Sequence, residues 1–391
     1  MFLQKEKTYW SQKGALITAK EIDQQPRLWQ ETYWRLEQNR KELKEFLDSK
    51  LRKKGLRIIL TGAGSSAFGG EITVPYIRSK LECSVEAIAT TDIVTNPLNY
   101  LKQSVPTLMI SFARSGNSPE SVAAVNLANE CIDDVSHLFL TCNKNGKLHR
   151  FAMEKENVFS LLMPEDANDQ GFAMTGSLTT MSLASMLLCH LDDLQSKRQE
   201  IAAVGMRGEQ YKDFIIPVIQ KLLNEQFERF VYLGSGCLAG VARESALKTL
   251  ELCAGTSTTH YDSVLGFRHG PKSVVNDKTL VVLYFSNDPY SRQYEIDLLH
   301  ELVDGGRGEV VSVTDGYDSE IEEVSDYYMH VSDDNVVGMD DAFLSFPYLL
   351  TAQILAFHYS LKLGLTPDNP SPNGFVNRVV KGVHIYPFIQ E

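Results

Sequence analysis

Short apolar runs of β-favouring residues alternate with helical patterns along most of the chain. LRIILTG (56–62) leads through a loop of small residues into a helix near 69–81. VEAIATTD (85–92) reads as the next strand and TLMISFA (107–113) as a third, followed by RSGNSPE and the helical SVAAVNLANE. HLFLTCN (137–143) and NVFSLLM (157–163) extend the alternation, and TGSLTTMSLASMLLCHL (175–191) is a long apolar helix. Strands separated by helices predict a parallel sheet covered on both faces.

The second half repeats the plan. FVYLGSG (230–236) matches RIILTG and precedes the helical RESALKTLEL, and TLVVLYFSND (279–288) corresponds to TLMISFARSG. GEVVSVTDG (308–316) is the next strand, and DAFLSFPYLLTAQILAFHYSLKLG (341–364) mirrors the first half's last helix. The two copies are offset by roughly 170 residues. Residues 14–55 read as helical: Thr18 and Glu21 have capping-box spacing, Pro26 suits a helix start, and Trp29, Tyr33, Leu36, Leu43 and Leu47 fall near one face. The expected fold is α/β, two tandem doubly wound parallel-sheet domains at 56–205 and 215–375. A helical extension (1–55) precedes them, a polar linker lies near 195–215, and a tail (376–391) follows.

Length and composition agree with this division. The chain has 391 residues, 43% hydrophobic and 23% charged, which fits two domains with full cores. Lys and Arg number 38 against 50 Asp and Glu, a net charge of −12. That balance argues against nucleic acid or an anionic membrane as a partner, and any anionic substrate must be gripped locally. Six cysteines (Cys83, Cys131, Cys142, Cys189, Cys237, Cys253) show no CxxC and no zinc spacing. With no signal-peptide stretch and no 18-residue apolar run, the expectation is a soluble, reduced, cytoplasmic protein.

Two loops carry the first candidate chemistry. Gly62-Ala63-Gly64-Ser65-Ser66-Ala67 sits between a strand and a helix, where backbone N–H groups and the helix dipole suit an anion. It also satisfies GxGxxA, a dinucleotide pattern for which Asp92, at the end of the next strand, would be the ribose acid. Arg114-Ser115-Gly116-Asn117-Ser118 is a second strand-to-helix loop. If the first and third strands are neighbours, hydroxyls from Ser65, Ser66, Ser115 and Ser118 surround one phosphate; singly, each serine is an ordinary helix cap. The counterpart in the second half, Ser286-Asn287-Asp288-Pro289, carries an acid and makes a poor anion cradle.

The second half offers different groups. Glu244, Lys248 and Glu251 at i, i+4 and i+7 share a helix face, either a solvated salt-bridge stripe or a general base with its partners. Ala246, Leu247 and Leu250 lie around the other side of that helix. His269 sits in the turn GFRHGPK (266–272), either a surface histidine or a base kept neutral by Arg268 and Lys272. His137, His190, His300, His330 and His358 read as structural, and no HExxH, Walker loop or GxSxG elbow occurs.

These residues resemble a known family. TGAGSSAFGG and SFARSGNSPES look like the phosphate loops of sugar isomerase (SIS) domains, and ARESALKTLE with GFRHGPKS resembles the isomerase half of glucosamine-6-phosphate synthase. Together with DQGFAMTGS, YDSVLGFRHGPKSVV and NRVVKGVHIYPF, they resemble the two-SIS-domain, AgaS-type tagatose-6-phosphate ketose/aldose isomerases or galactosamine-6-phosphate deaminases. The resemblance runs from about residue 20 to the end and implies flavodoxin-like SIS domains, no glutaminase half and no cofactor. It implies that Gly64, Ser65, Ser66, Arg114, Ser115, Gly116, Asn117 and Ser118 bind phosphate and that Glu251 shuttles the proton between C2 and C1. His269 would open the ring, often from the partner subunit of a homodimer, with Glu244 and Lys248 in support. Met174 replaces a serine that faces the sugar in the synthase, and Lys381 aligns loosely with the synthase's Schiff-base lysine.

The expected activity is conversion of galactosamine 6-phosphate to tagatose 6-phosphate and ammonia. The alternatives are aldose–ketose isomerisation without nitrogen loss, a non-catalytic sugar-phosphate sensor, and a nicotinamide dehydrogenase.

Overall fold

The structure, a computed structural model, describes residues 1–333, 338–378, 380 and 382–389. Two five-stranded parallel sheets form. The first contains β1 (Arg57–Thr61), β2 (Ser84–Ala87), β3 (Thr107–Phe112), β4 (Val135–Thr141) and β5 (Val158–Leu162), in the order β2-β1-β3-β4-β5. The second contains β6 (Arg229–Leu233), β7 (Thr258–Asp262), β8 (Thr279–Tyr284), β9 (Glu309–Gly316) and β10 (Tyr327–Ser332), in the order β10-β9-β8-β6-β7. Each is therefore the doubly wound order 2-1-3-4-5, with its topological switch between its first and third strands.

Burial explains which strands are conspicuous. Every residue of β3, β4 and β8 is buried, because helices cover both faces of a central parallel strand. The edge strands β7 (TTHYD) and β10 (YYMHVS) are only partly buried and half polar, and neither stands out in the hydrophobic pattern. The first core gathers Ile59, Met109, Ala124, Phe139 and Val158; the second gathers Val231, Val281, Leu283, Phe285 and Leu298.

The chain divides into two compact units that are discontinuous in sequence. The first comprises Arg27–Asp169, Gly176–Ile201 and Val376–Glu391, and the second Met1–Pro26, Gln170–Thr175 and Ala202–Phe375. The helical N-terminus is thus divided, with the helix Leu16–Asp23 in the second unit and the helix Arg40–Leu51 in the first. As expected, Trp29, Tyr33, Leu36, Leu43 and Leu47 are all buried.

Four local expectations are corrected. Residues 195–215 are no linker: the helix Arg198–Leu222 runs for 25 residues and buries Ile201, Val204, Tyr211 and Ile215 beneath its polar face. Thr18 and Glu21 form no capping box. The carboxylate of Asp368 instead accepts from the Thr18 backbone N–H and hydroxyl, both at 2.8 Å, while Glu21 accepts from the backbone N–H groups of Gln170 and Gly171. The strand expected over 85–92 stops at Ala87, and a helix follows over Thr90–Thr95. Asp92 is therefore exposed on that helix and ends no strand, which removes the acid from the dinucleotide reading.

The first loop of each unit depends on its glycines. Gly64 has φ 56 and ψ −131, a region only glycine enters without strain, and a Cβ on Gly62 would lie 2.6 Å from the Ser66 carbonyl carbon. Gly64→Ala, with open space around its methyl, is expected to cost about 1–3 kcal/mol through strain alone. Gly62→Ala should cost more, because helix backbone cannot yield. Urea unfolding midpoints give the order, and a Gly62→Ala protein as stable as Gly64→Ala would contradict this account.

Candidate active site

In the first unit β1 pairs in parallel with β3, with Thr61 opposite Ser111 in the last rung. The loops after these strands consequently open side by side at the carboxyl edge of the sheet, as the paired serine loops require. Gly64 ends the first loop, and Ser65 and Ser66 begin the helix Ser65–Lys80, where N–H groups and the positive end of the dipole are concentrated. Thr90 holds this loop from behind, its backbone N–H donating to the Gly62 carbonyl at 2.7 Å.

The second loop is less uniform than its sequence. Ser118 precedes the helix Pro119–Cys131, and its hydroxyl lies 2.6 Å from that of Ser121. The Ser115 hydroxyl accepts from the Asn117 backbone N–H at 3.3 Å. Gly116, at φ 61, closes the turn by donating to the Ala113 carbonyl. The Asn117 side-chain oxygen accepts from the Lys147 backbone N–H at 2.9 Å. Arg114 is buried, and its guanidinium donates to the Asp169 carbonyl at 3.3 Å.

Two residues unremarked in the sequence shape this edge. The Asp169 carboxylate caps the helix Gly176–Leu187, accepting from the Ser177 backbone N–H at 2.8 Å and from its hydroxyl at 2.5 Å. From the tail, Arg378 donates to the same Asp169 carbonyl as Arg114, at 3.0 Å. Two guanidiniums on one oxygen concentrate positive charge beside the second loop. The only signal for Arg378 in the sequence is its place in NRVVKGVH; its contact spans most of the chain.

In the second unit the Glu244, Lys248 and Glu251 face of the helix Cys237–Leu252 is formed, but inside out from expectation. Glu244 and Lys248 are fully buried and Glu251 is 25% exposed, whereas Leu250 points outward at 42% exposure. The reason lies beneath the helix: the Ser245 hydroxyl meets Tyr284 at 2.9 Å and Thr249 meets Tyr232 at 2.6 Å, so small polar residues face the sheet and rotate the acids inward. The Lys248 ammonium lies 2.5 Å from Glu251 and 3.4 Å from Glu244. Burial opposes its charge, but the two carboxylates outweigh it and hold Lys248 above the ordinary lysine value. A solvated stripe is thereby excluded.

His269 is exposed in a turn closed by its N–H to the Gly266 carbonyl, followed by Gly270 at φ 118. The cationic surroundings expected for it are offset, because Arg268 (2.6 Å) and Lys272 both pair with Glu301. Lys381 lies outside the described residues. Among the described residues no group of three His, Cys, Asp or Glu side chains is placed to hold a metal, and no helix is long and apolar enough to cross a membrane.

Two doubly wound units with paired serine loops at a switch point define the class, and residues 50–191 match the SIS domain. The chain belongs to the AgaS family of SIS-domain proteins. It is 44% identical over 372 residues to D-galactosamine-6-phosphate deaminase AgaS of Escherichia coli, covering 95% of this chain and 96% of that protein. A provisionally named tagatose-6-phosphate ketose/aldose isomerase of Clostridium novyi NT shares 50% identity and superposes with a TM-score of 0.97 over 99% of both chains. The tagatose-6-phosphate ketose/aldose isomerase of Escherichia coli shares 42% identity, with a TM-score of 0.87 over 95% of this chain and 96% of that one.

The buried charge cluster makes a stability prediction. Lys248→Met breaks a buried ion pair and is expected to cost about 3–5 kcal/mol. Adding Glu244→Gln should recover part of that loss in thermal unfolding; a single variant within 1 kcal/mol of the parent, on the order of a surface pair, would contradict it.

Proposed function

We propose that this chain is a sugar-phosphate enzyme that converts D-galactosamine 6-phosphate to D-tagatose 6-phosphate and ammonia. The reading is supported above all by the 42–44% identity, over almost the whole chain, to proteins named D-galactosamine-6-phosphate deaminase. The paired serine loops at one sheet edge add a place for the phosphate. In this reading Ser65, Ser66, Ser115 and Ser118 hold the phosphate with backbone N–H groups of Gly64 and Gly116 loops, and Arg114 and Arg378 supply the local positive charge.

The chemistry asks little of the protein beyond a positioned base. His269 assists opening of the sugar ring. Glu251 removes the C2 proton from the open-chain aldehyde, giving an enolamine, and returns it to C1, which leaves an imine at C2 and a hydroxymethyl group at C1. Water adds to the imine carbon, and the C–N bond breaks to release ammonia and the ketose. The proton shift is internal, so no electrons leave the sugar and no redox partner enters the balance. Glu244 and Lys248 support Glu251, with Lys248 fixing its carboxylate at 2.5 Å. A homodimer that shares residues between subunits belongs to the same proposal.

A second reading, aldose–ketose isomerisation with no nitrogen released, is favoured by the likeness to the Escherichia coli tagatose-6-phosphate ketose/aldose isomerase. It would use the same proton shuttle. Incubating the purified protein with D-galactosamine 6-phosphate separates the two, since only deamination yields ammonia and ketose in equal amounts. Glu251→Gln is expected to lower turnover by about 10²–10⁴-fold, the usual contribution of a general base, while inorganic phosphate still inhibits residual activity at the parent's concentration. Turnover unchanged by this substitution would sink the assignment of the base. Arg378→Ala is expected to raise KM for the sugar phosphate about tenfold or more, as loss of a charge-assisted hydrogen bond would, and to change kcat less. An equal fall in kcat with KM constant would remove Arg378 from binding.

A further inference from the structure

The second unit keeps the geometry of the first unit's first loop without its serines. Gly236, at φ 57 and ψ −123, repeats the backbone of Gly64, and a Cβ on Gly234 would strike Leu238 backbone as one on Gly62 strikes Ser66. β6 pairs in parallel with β8 as β1 does with β3, so the loops Gly234-Ser235-Gly236 and Ser286-Asn287-Asp288 open at one carboxyl edge. Cys237 and Leu238 now stand where the first unit has Ser65 and Ser66. A strand-to-helix edge of this shape still presents N–H groups that need acceptors.

Those acceptors are carboxyl groups of the chain itself. Glu295, on the helix Pro289–Asp304, is fully buried, and its Oε2 accepts from the Ser286 backbone N–H at 2.7 Å. Beside it, Asp341 accepts from the Asn287 N–H at 2.8 Å and from the Ser286 hydroxyl at 2.5 Å. Counted from the proline that opens each helix, Pro119 or Pro289, the first unit carries buried Val125 where the second carries Glu295. Packing alone therefore does not call for an acid. The acid is also costly, since its Oε1 is buried with no hydrogen-bond partner. Burial, with a smaller push from Asp341 and against the pull of Ser286, Ser235 and Arg292, raises the Glu295 carboxyl to about 7.

We propose that the second unit retains an oxyanion cradle at the Ser286 backbone N–H, and that the Glu295 carboxyl is its resident ligand, so that the chain offers one sugar-phosphate site instead of two. The comparison with the first unit rests on reading its serine loops as the phosphate cradle. The occupancy of the second does not depend on which sugar is turned over.

Chemical rescue tests it. Removing the carboxyl in Glu295→Ala strips the Ser286 N–H of its acceptor and leaves a space of carboxylate size, which formate can fill. Thermal unfolding of the full chain is followed with added sodium formate, and with sodium chloride at equal ionic strength. Formate is expected to raise the variant's Tm saturably, to recover at least half of the loss relative to the parent, and to leave the parent's Tm unmoved beyond the chloride control. Should the variant not fold in chloride, its refolding yield in formate gives the same reading. Glu295→Gln, whose amide oxygen still accepts from Ser286, should fold and ignore formate. Equal formate response in parent and Glu295→Ala, no response in either buffer, or a Glu295→Val protein more stable than the parent would each overturn the proposal. None of these outcomes bears on ammonia release, so the two readings fail separately.

Discussion

Parallel pairing of the first and third strands of each sheet is the constraint from which the rest follows. In the order 2-1-3-4-5 the connections leave that strand pair in opposite directions, and helices cannot cover the crevice between the two strand ends. Whatever residues follow β1 and β3 must therefore share one carboxyl edge, each loop leading into the N-terminus of a helix. Backbone N–H groups and dipoles then supply an oxyanion site before any side chain is chosen. Serines border that edge in the first unit, whereas in the second the carboxyls of Glu295 and Asp341 accept from its N–H groups. One topology thus carries two sets of edge groups, and the difference rests on a few side chains.

Charge is arranged locally along this chain. A net charge of −12 spreads over the whole chain, but beside the second loop Arg114 and Arg378 converge on a single carbonyl oxygen. Salt screens the diffuse field within about 10 Å, while contacts of hydrogen-bond length persist. In the second unit, Lys248 buried between Glu244 and Glu251 makes the opposite use of charge. There a cation fixes the carboxylate proposed as base, and the partial exposure of Glu251 leaves one end of the cluster accessible.

The sequence was most legible where one interaction type dominates. Continuous apolar runs marked β3, β4 and β8, because central strands are buried on both faces, and GxG loops marked both turns. Legibility failed where a residue has two environments. β7 and β10 lie at edges and mix polar with apolar positions, so they resemble loops. The stretch 195–215 looks like a linker because its polar positions form the outer face of a long amphipathic helix. Thr18 and Glu21 have capping-box spacing, yet Asp368 and the backbone of Gln170 and Gly171 claim them from far along the chain. Spacing reports which groups can meet locally, and it is silent about distant competitors.

By itself the sequence determined the recurring strand–helix plan, the strand-to-helix loops, the serine pairs and the shared face of Glu244, Lys248 and Glu251. All of these are local: period, loop composition and helical spacing act within a few residues. Only the tertiary structure decided that this face turns inward, that Arg114 and Asn117 are engaged within the fold, that Arg378 returns to Asp169, and that Glu295 meets the Ser286 N–H. Each of those outcomes is a competition between partners distant in sequence. Burial and hydrogen-bond satisfaction settle it once the sheets have assembled.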